Sequence, residues 1–105
     1  KQQGRGFQEQ CLTLDVYSNS FQHNTKKRPV FVFIHGGGNM YGSSSLYPNL
    51  QTMVAYKNAV VVSLNFRLAL FGFLALSELS RESNGVSGNQ AIGDIINALK
   101  WVQRE

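Results

Sequence analysis

Two runs of apolar residues without polar alternation constrain the fold of this chain most strongly. Residues 29–35 (PVFVFIH) and 59–64 (AVVVSL) are rich in β-branched and aromatic side chains, which is typical of strands buried on both faces. Between them, apolar residues recur with the spacing of one face of a helix that should end near Asn58: Leu46, Leu50, Met53 and Val54. This order of strand, helix and strand predicts a right-handed βαβ crossover with parallel strands, and therefore an α/β fold.

The flanking segments predict further elements. Residues 11–17 (CLTLDVY) alternate apolar and polar, which indicates a half-buried strand near a sheet edge. Residues 67–76 are expected to form an apolar loop or irregular segment, and residues 77–88 are polar with a turn at Asn84-Gly85. Residues 91–102 have the period of an amphipathic helix. Its apolar face consists of Ile92, Ile95, Ile96, Leu99 and Val102, and its polar face of Asp94, Asn97, Lys100 and Gln103.

These elements do not complete a domain. A chain of 105 residues is at most one domain, and strands buried on both faces need helices above and below and further strands alongside. The pattern of the last helix continues to Glu105 without a capping signal. We therefore expect residues 1–105 to be a portion of one larger α/β domain with an incomplete, mostly parallel sheet. The isolated chain is expected not to unfold as a cooperative two-state unit.

The charge of the chain does not indicate a nucleic-acid partner. Ten Lys and Arg against six Asp and Glu give a formal net charge of +4, but the basic residues are scattered. Their one cluster, at residues 26–28, lies in a polar turn without interleaved aromatic residues. No membrane-spanning segment is expected either, because Asn65 and Arg67 interrupt the most apolar region. The first ten residues show no targeting segment.

No metal or other cofactor is expected. The two histidines, His23 and His35, and the single Cys11 do not have the spacing of metal ligands. We expect His23 in an exposed loop, and we expect His35 to pack or hydrogen-bond so that it shapes the turn that follows it. Cys11 is either a buried free thiol or the partner of a cysteine outside this chain.

The sequence His35-Gly36-Gly37-Gly38 directly follows the first buried run. It should therefore lie at the carboxyl end of a parallel sheet, where ligands bind in open α/β folds. Consecutive glycines allow backbone N–H groups to approach an anion closely, either a phosphate or the oxyanion of an acyl-transfer intermediate. The chain lacks the nucleotide fingerprints, which leaves a nucleotide-binding domain a distant alternative. An HGGG turn after a strand favours an oxyanion hole, and a purely structural tight loop is the alternative.

Four blocks of sequence then follow one another in a characteristic order. They are EQCLTLDVY at residues 9–17, PVFVFIHGGGNMYGSS at 29–44, NFRLALFGFL at 65–74 and GNQAIGDIINALKWVQRE at 88–105. Together they resemble the type-B carboxylesterase and cholinesterase family of α/β-hydrolases, from residue 9 onward. The resemblance implies an ester hydrolase, in which Gly37 and Gly38 donate backbone N–H groups to the oxyanion and the substrate is a small ester. The nucleophilic Ser would lie outside this chain, which has no G-x-S-x-G sequence.

The resemblance also assigns structural roles. Cys11 matches a family cysteine that bonds to one upstream of this chain, which implies a secreted or luminal protein. Glu9 and Arg67 match positions that form an ion pair, and Asp94 and Trp101 match structural positions of the last helix.

Departures from the family pattern limit the substrate prediction. The departing residues are Gln10, Asn39, Ala69, Ala91, Gly93 and Ile95. Because Asn39 would flank the acyl side of the pocket, the substrate preference does not carry over. The alternative function is a catalytically inactive adhesion or binding protein of the same family, of the neuroligin-like or glutactin-like type.

Overall fold

The computed structural model describes residues 10–19, 27–85 and 87–105. In that part of the chain, three strands form one sheet: β1 (Leu14–Tyr17), β2 (Val30–Ile34) and β3 (Val60–Leu64). Four α-helices accompany them: α1 (Leu50–Lys57), α2 (Ala69–Phe73), α3 (Ser77–Glu82) and α4 (Gln90–Arg104). A short 3-10 helix (Ser44–Leu46) precedes α1.

The sheet has the order β1-β3-β2, with β3 in the centre. Strands β2 and β3 are parallel, and their register runs from Val30 opposite Val60 to Ile34 opposite Leu64. Strand β1 lies antiparallel on the other side of β3, and among the described residues it is an edge strand, as predicted. The predicted β-α-β unit with parallel strands is also confirmed. Because β2 and β3 end in register, the residues that follow them meet at the same edge of the sheet.

The two parallel strands differ in their burial, although the sequence predicts that both are buried. In β3, Val61 to Leu64 are all buried, as predicted. In β2, however, Val30, Phe31 and Ile34 are 48%, 45% and 45% exposed. Within the described residues β2 is paired on one side only, so a strand composed for burial on both faces is partly open to solvent.

Helix α1 begins later and ends where expected. Leu46 belongs to the 3-10 helix and is exposed, because Pro48 interrupts the predicted helix and keeps Tyr47 out of the helical conformation (φ −121°, ψ 68°). Asn58 ends α1 in the left-handed conformation, at φ 46°. Leu50 and Val54 of α1 pack on Val61, together with Tyr17 and Phe33.

Two short helices occupy segments that the sequence predicts as irregular or turn-like. Helix α2 lies within the apolar segment 67–76, where Gly72 allows close packing: a Cβ there would stand 2.2 Å from the Arg67 carbonyl oxygen and 3.0 Å from the Ala91 Cβ. Helix α3 occupies the first part of the polar segment, and the predicted turn at Asn84 and Gly85 follows it, with both residues at positive φ.

Helix α4 is confirmed, but its packed face is rotated from the predicted one. Ile92, Ile96 and Leu99 are between 44% and 46% exposed. Asp94, placed on the polar face by its periodicity, is 8% exposed. The side of α4 that packs on Leu64 and Phe66 carries Ala91, Ile95 and Ala98.

Candidate active site: the glycine loop after β2

The glycine loop, residues 35–44, starts at the carboxyl end of β2 and lies against the chain that leaves β3. His35 is only 5% exposed. Its ring stacks on Phe66, with 4.8 Å between centroids and 21° between planes. The loop therefore has a fixed base at the edge of the sheet where the two parallel strands end.

His35 holds the first peptide group of the loop. Its Nδ1 lies 2.9 Å from the Gly36 carbonyl oxygen. Since a carbonyl oxygen only accepts, Nδ1 is the donor in this contact. The other ring nitrogen, Nε2, is buried and has no hydrogen-bond partner among the described residues. The expectation that His35 shapes the turn through a hydrogen bond agrees with this contact.

The second peptide group is held from within the loop. The Gly37 carbonyl oxygen accepts hydrogen bonds from the backbone N–H groups of Met40 (3.1 Å) and Tyr41 (3.3 Å). In a trans peptide the carbonyl and the following N–H point in opposite directions. Anchoring the Gly36 and Gly37 carbonyls therefore fixes the directions of the Gly37 and Gly38 N–H groups.

Those two N–H groups have no acceptor among the described residues. They belong to consecutive peptides, Gly38 is exposed, and Gly37 is partly exposed. Neighbouring backbone N–H groups without internal partners can bind an anionic oxygen. The oxyanion role that the sequence predicts for Gly37 and Gly38 stays a prediction.

Glycine is required at two points of close approach in this loop. A Cβ at Gly37, which has φ 130°, would stand 1.8 Å from the Tyr41 carbonyl oxygen. A Cβ at Gly42, with φ 131°, would stand 2.4 Å from His35 Nδ1 and 2.6 Å from the Gly36 oxygen. A Cβ at Gly38 would meet no atom within 4 Å, so the space beside that residue is open.

An ion pair with a buried carboxylate joins the segment after β3 to α4. The Asp94 carboxylate accepts from Arg67 Nη2 (2.8 Å), from Arg67 Nε (2.8 Å) and from the Arg67 backbone N–H (3.0 Å). The hydrogen bond to Asp94 raises the pKa of Arg67. Partial desolvation lowers this pKa, but by less than the hydrogen bond raises it. Within the described residues the carboxylate partner of Arg67 is thus Asp94. Glu9, the predicted partner, lies outside those residues, as does His23.

A cavity of about 700 Å³ adjoins the glycine loop. Its walls include Cys11, the loop residues 40–43 and residues 65–71, whereas Gly37 and Gly38 lie outside it. Cys11 is partly buried and its thiol is free among the described residues. Its predicted disulfide with an upstream cysteine stays a prediction.

The described residues contain no group of three His, Cys, Asp or Glu side chains that could hold a metal ion. Over the same part of the chain, every helix is too short or too polar to cross a membrane.

Comparison with known proteins identifies the family. The model of the carboxylesterase family matches residues 1–105. The chain belongs to the carboxylesterase family. It is 40% identical to carboxylesterase 3B of Mus musculus over 95 residues, 90% of this chain and 16% of that protein. It is 41% identical to fumonisin B1 esterase of Sphingopyxis macrogoltabida over 99 residues, 93% of this chain and 18% of that protein.

Solved carboxylesterase structures share the fold. The Geobacillus stearothermophilus carboxylesterase EST55 superposes with a TM-score of 0.76 at 38% identity, covering 87% of this chain and 19% of its own. Juvenile hormone esterase from Manduca sexta superposes with a TM-score of 0.77 at 34% identity, covering 98% of this chain and 18% of its own. The mixed sheet and its helices are therefore part of an α/β-hydrolase fold, as the sequence predicts. The chain spans less than a fifth of the length of these four relatives.

One departure from the family pattern has a conformational cost. Ala69, one of the departures from the family resemblance, has φ 50°, in the left-handed region that glycine favours. Its N–H donates to the Asn39 carbonyl oxygen at 2.7 Å, so this strained residue joins the glycine loop to α2.

Sequence patterns give little indication of the polar residues that anchor the far end of the loop. Asp15, Ser44 and Asn65 form a hydrogen-bonded cluster there. For Asn65, the position directly after a buried strand is a sequence signal of a role at this edge of the sheet. For Ser44 the sequence gives no such signal, because serines also precede and follow it.

Proposed function

We propose that this chain contributes the oxyanion hole of a serine-dependent carboxylic-ester hydrolase, with the Gly37 and Gly38 N–H groups as donors. The observation that carries the proposal is that both N–H groups lack an acceptor within the described residues while the carbonyls that orient them are hydrogen-bonded. Membership of the carboxylesterase family supports the same reaction. We further propose that residues 1–105 are the N-terminal portion of one α/β-hydrolase domain, which continues with the strand that presents the nucleophile.

In the proposed reaction, a serine oxygen outside this chain attacks the ester carbonyl, and the carbonyl electron pair moves onto oxygen. The two N–H groups stabilise the resulting oxyanion. A general base outside this chain takes the serine proton and gives it to the alcohol oxygen as the tetrahedral intermediate collapses, which leaves an acyl-serine. Water then attacks the acyl-serine through a second oxyanion at the same position, which releases the carboxylic acid and restores the serine. Each donor contributes about 3 kcal/mol of transition-state stabilisation in sites of this kind. The chemistry requires no cofactor.

The proposed substrate class is a small-molecule carboxylic ester. The relatives are named for different esters: one is a fumonisin B1 esterase, another a cocaine esterase and a third a juvenile hormone esterase. We therefore propose the reaction without a particular acyl or alcohol group. A secreted or luminal location, with Cys11 in a disulfide, accompanies the proposal.

The test is Gly38→Val in the full-length protein that contains this chain, with Gly85→Val as the matched control. Both glycines have positive φ, 59° and 86°, and a Cβ at either position would meet no atom within 4 Å. Both substitutions therefore impose a similar backbone strain without an internal clash. Valine at residue 38 would project into the space where the reacting carbonyl is expected. We expect kcat/KM for a p-nitrophenyl ester to fall about 100-fold or more in Gly38→Val and less than twofold in Gly85→Val.

Equal kcat/KM values in the wild type and Gly38→Val would refute the oxyanion assignment. A wild-type full-length protein that hydrolyses no ester and does not react with a fluorophosphonate serine probe would refute the enzyme proposal. That result would favour the inactive binding relative.

A further inference from the structure

We infer that Ser44 is a positioning residue for the oxyanion loop, acting through a cluster of hydrogen bonds around its own buried side chain. The Ser44 cluster comprises Thr13, Asp15, Ser44 and Asn65. The inference rests on the proposed function of Gly37 and Gly38 and extends it to residues that touch neither the substrate nor the reacting atoms.

The hydroxyl and the backbone N–H of Ser44 are both hydrogen-bonded inside the protein. Ser44 is 2% exposed, and its Oγ donates to Asp15 Oδ2 at 2.6 Å. The same Oγ accepts from Asn65 Nδ2 at 3.1 Å, and the Ser44 backbone N–H donates to Asn65 Oδ1 at 2.9 Å. A short hydrogen bond to a carboxylate is stronger than one between neutral groups.

The Ser44 cluster joins three segments that are distant in the sequence. Asp15 lies on β1, Asn65 directly follows β3, and Ser44 ends the glycine loop. Asn65 is itself held by Thr13, because its Nδ2 donates to Thr13 Oγ1 at 3.0 Å and its backbone N–H donates to the Thr13 carbonyl oxygen at 2.8 Å. The far end of the loop is thereby fixed to the sheet, as His35 fixes the near end.

Residues 40–43, the returning limb of the glycine loop, connect the Ser44 cluster to the oxyanion donors. Two residues before Ser44, Gly42 lies so close to His35 and to the Gly36 carbonyl oxygen that a Cβ would clash with both. The peptide between Gly36 and Gly37 carries one of the proposed donors. A shift of the returning limb therefore changes the support behind the Gly37 N–H.

Exposed Ser45 provides a matched control within the same sequence. It is adjacent to Ser44, it is exposed, and its hydroxyl contacts only Ser43 Oγ among the described residues (3.0 Å). Ser45→Ala removes the same atom as Ser44→Ala without disturbing the cluster.

The experiment compares Ser44→Ala with Ser45→Ala in the full-length protein, using a p-nitrophenyl ester. We expect Ser44→Ala to lower kcat about tenfold or more and to change KM less than twofold, because small displacements of reacting groups affect the transition state most. The Ki of a trifluoromethyl ketone, which forms a tetrahedral adduct, should rise by the same factor as kcat falls. Ser45→Ala should retain the wild-type values.

A pair of variants at Asp15 provides an independent test if Ser44→Ala does not fold. Asp15 is exposed, so both substitutions are compatible with folding. Asp15→Asn keeps an oxygen that accepts from Ser44 Oγ, whereas Asp15→Ala removes it. We expect Asp15→Asn to retain most of kcat, and Asp15→Ala to lower kcat as Ser44→Ala does.

The outcomes separate the inference from the proposed function. A wild-type kcat in Ser44→Ala, or equal kcat values in Asp15→Ala and the wild type, overturns the positioning role, even if the melting temperature falls. If Gly38→Val retains full turnover, the oxyanion assignment itself fails and the inference fails with it. A low kcat in Gly38→Val combined with an unchanged kcat in Ser44→Ala overturns only the positioning role.

Discussion

Replacing either member of the Arg67–Asp94 pair leaves a different charged group without its partner. Asp94 accepts three hydrogen bonds from Arg67, two from the guanidinium and one from the backbone N–H. The Arg67 side chain is 39% exposed and the Asp94 side chain is 5% exposed. In Asp94→Ala the remaining guanidinium can be hydrated, whereas in Arg67→Ala the remaining carboxylate stays buried.

The exposures set the order and the size of the two effects. Removing one partner of a buried pair costs about 3–5 kcal/mol of folding free energy. For Arg67→Ala we expect a value near the upper end, about 4 kcal/mol, because the buried carboxylate loses both guanidinium bonds. For Asp94→Ala we expect a smaller value, about 2 kcal/mol, because the remaining guanidinium is 39% exposed and can be hydrated.

The assay is urea unfolding of the full-length protein and its variants, followed by near-ultraviolet circular dichroism. Glu82→Ala, at an exposed acidic residue of α3, serves as the control and should leave the free energy of unfolding nearly unchanged. The double variant should cost clearly less than the sum of the two single variants. Additive losses, or a larger loss for Asp94→Ala than for Arg67→Ala, would refute the reasoning from burial.

Two further predictions concern positions where backbone geometry meets the glycine loop. Ala69→Gly should raise the free energy of unfolding by about 1 kcal/mol, because the left-handed conformation of Ala69, at φ 50°, is unfavourable for alanine and not for glycine. Unchanged or lower stability in urea unfolding would contradict this prediction. Gly42→Ala should lower both stability and kcat, because its Cβ would stand 2.4 Å from His35 Nδ1. Gly93→Ala is its control: a Cβ there meets no atom within 4 Å, so thermal unfolding should show a gain of up to about 1 kcal/mol. Wild-type kcat in Gly42→Ala would show that the loop tolerates the change.

Local patterns predicted the elements that have a strong period or a clear end. The run at residues 59–64 is a buried strand, and Asn58 ends α1 in the left-handed conformation that asparagine tolerates. Helices α2 and α3, with five and six residues, are too short to show a helical period, so the sequence predicted irregular chain there. Pro48 is the local signal that explains the late start of α1.

The sequence by itself determined that a parallel β-α-β unit would place His35-Gly36-Gly37-Gly38 at the carboxyl end of a strand. That conclusion needs only the composition of neighbouring residues and the rules of strand connection. Only the tertiary structure decided which apolar residues are covered. In α4, Ala91 faces the core of the protein, whereas Ile92 is exposed. Periodicity shows where apolar side chains lie on an element, but coverage depends on what packs against it.

The tertiary structure also decided the polar partners of the site. Arg67 meets Asp94 across 27 residues of sequence, and Ser44 meets Asp15 across 29. No local pattern specifies either pairing, because the strength of a hydrogen bond depends on distances that exist only after the sheet and helices have packed. The chain thus carries the chemistry of the glycine loop in its sequence, and packing supplies the contacts that hold the loop in place.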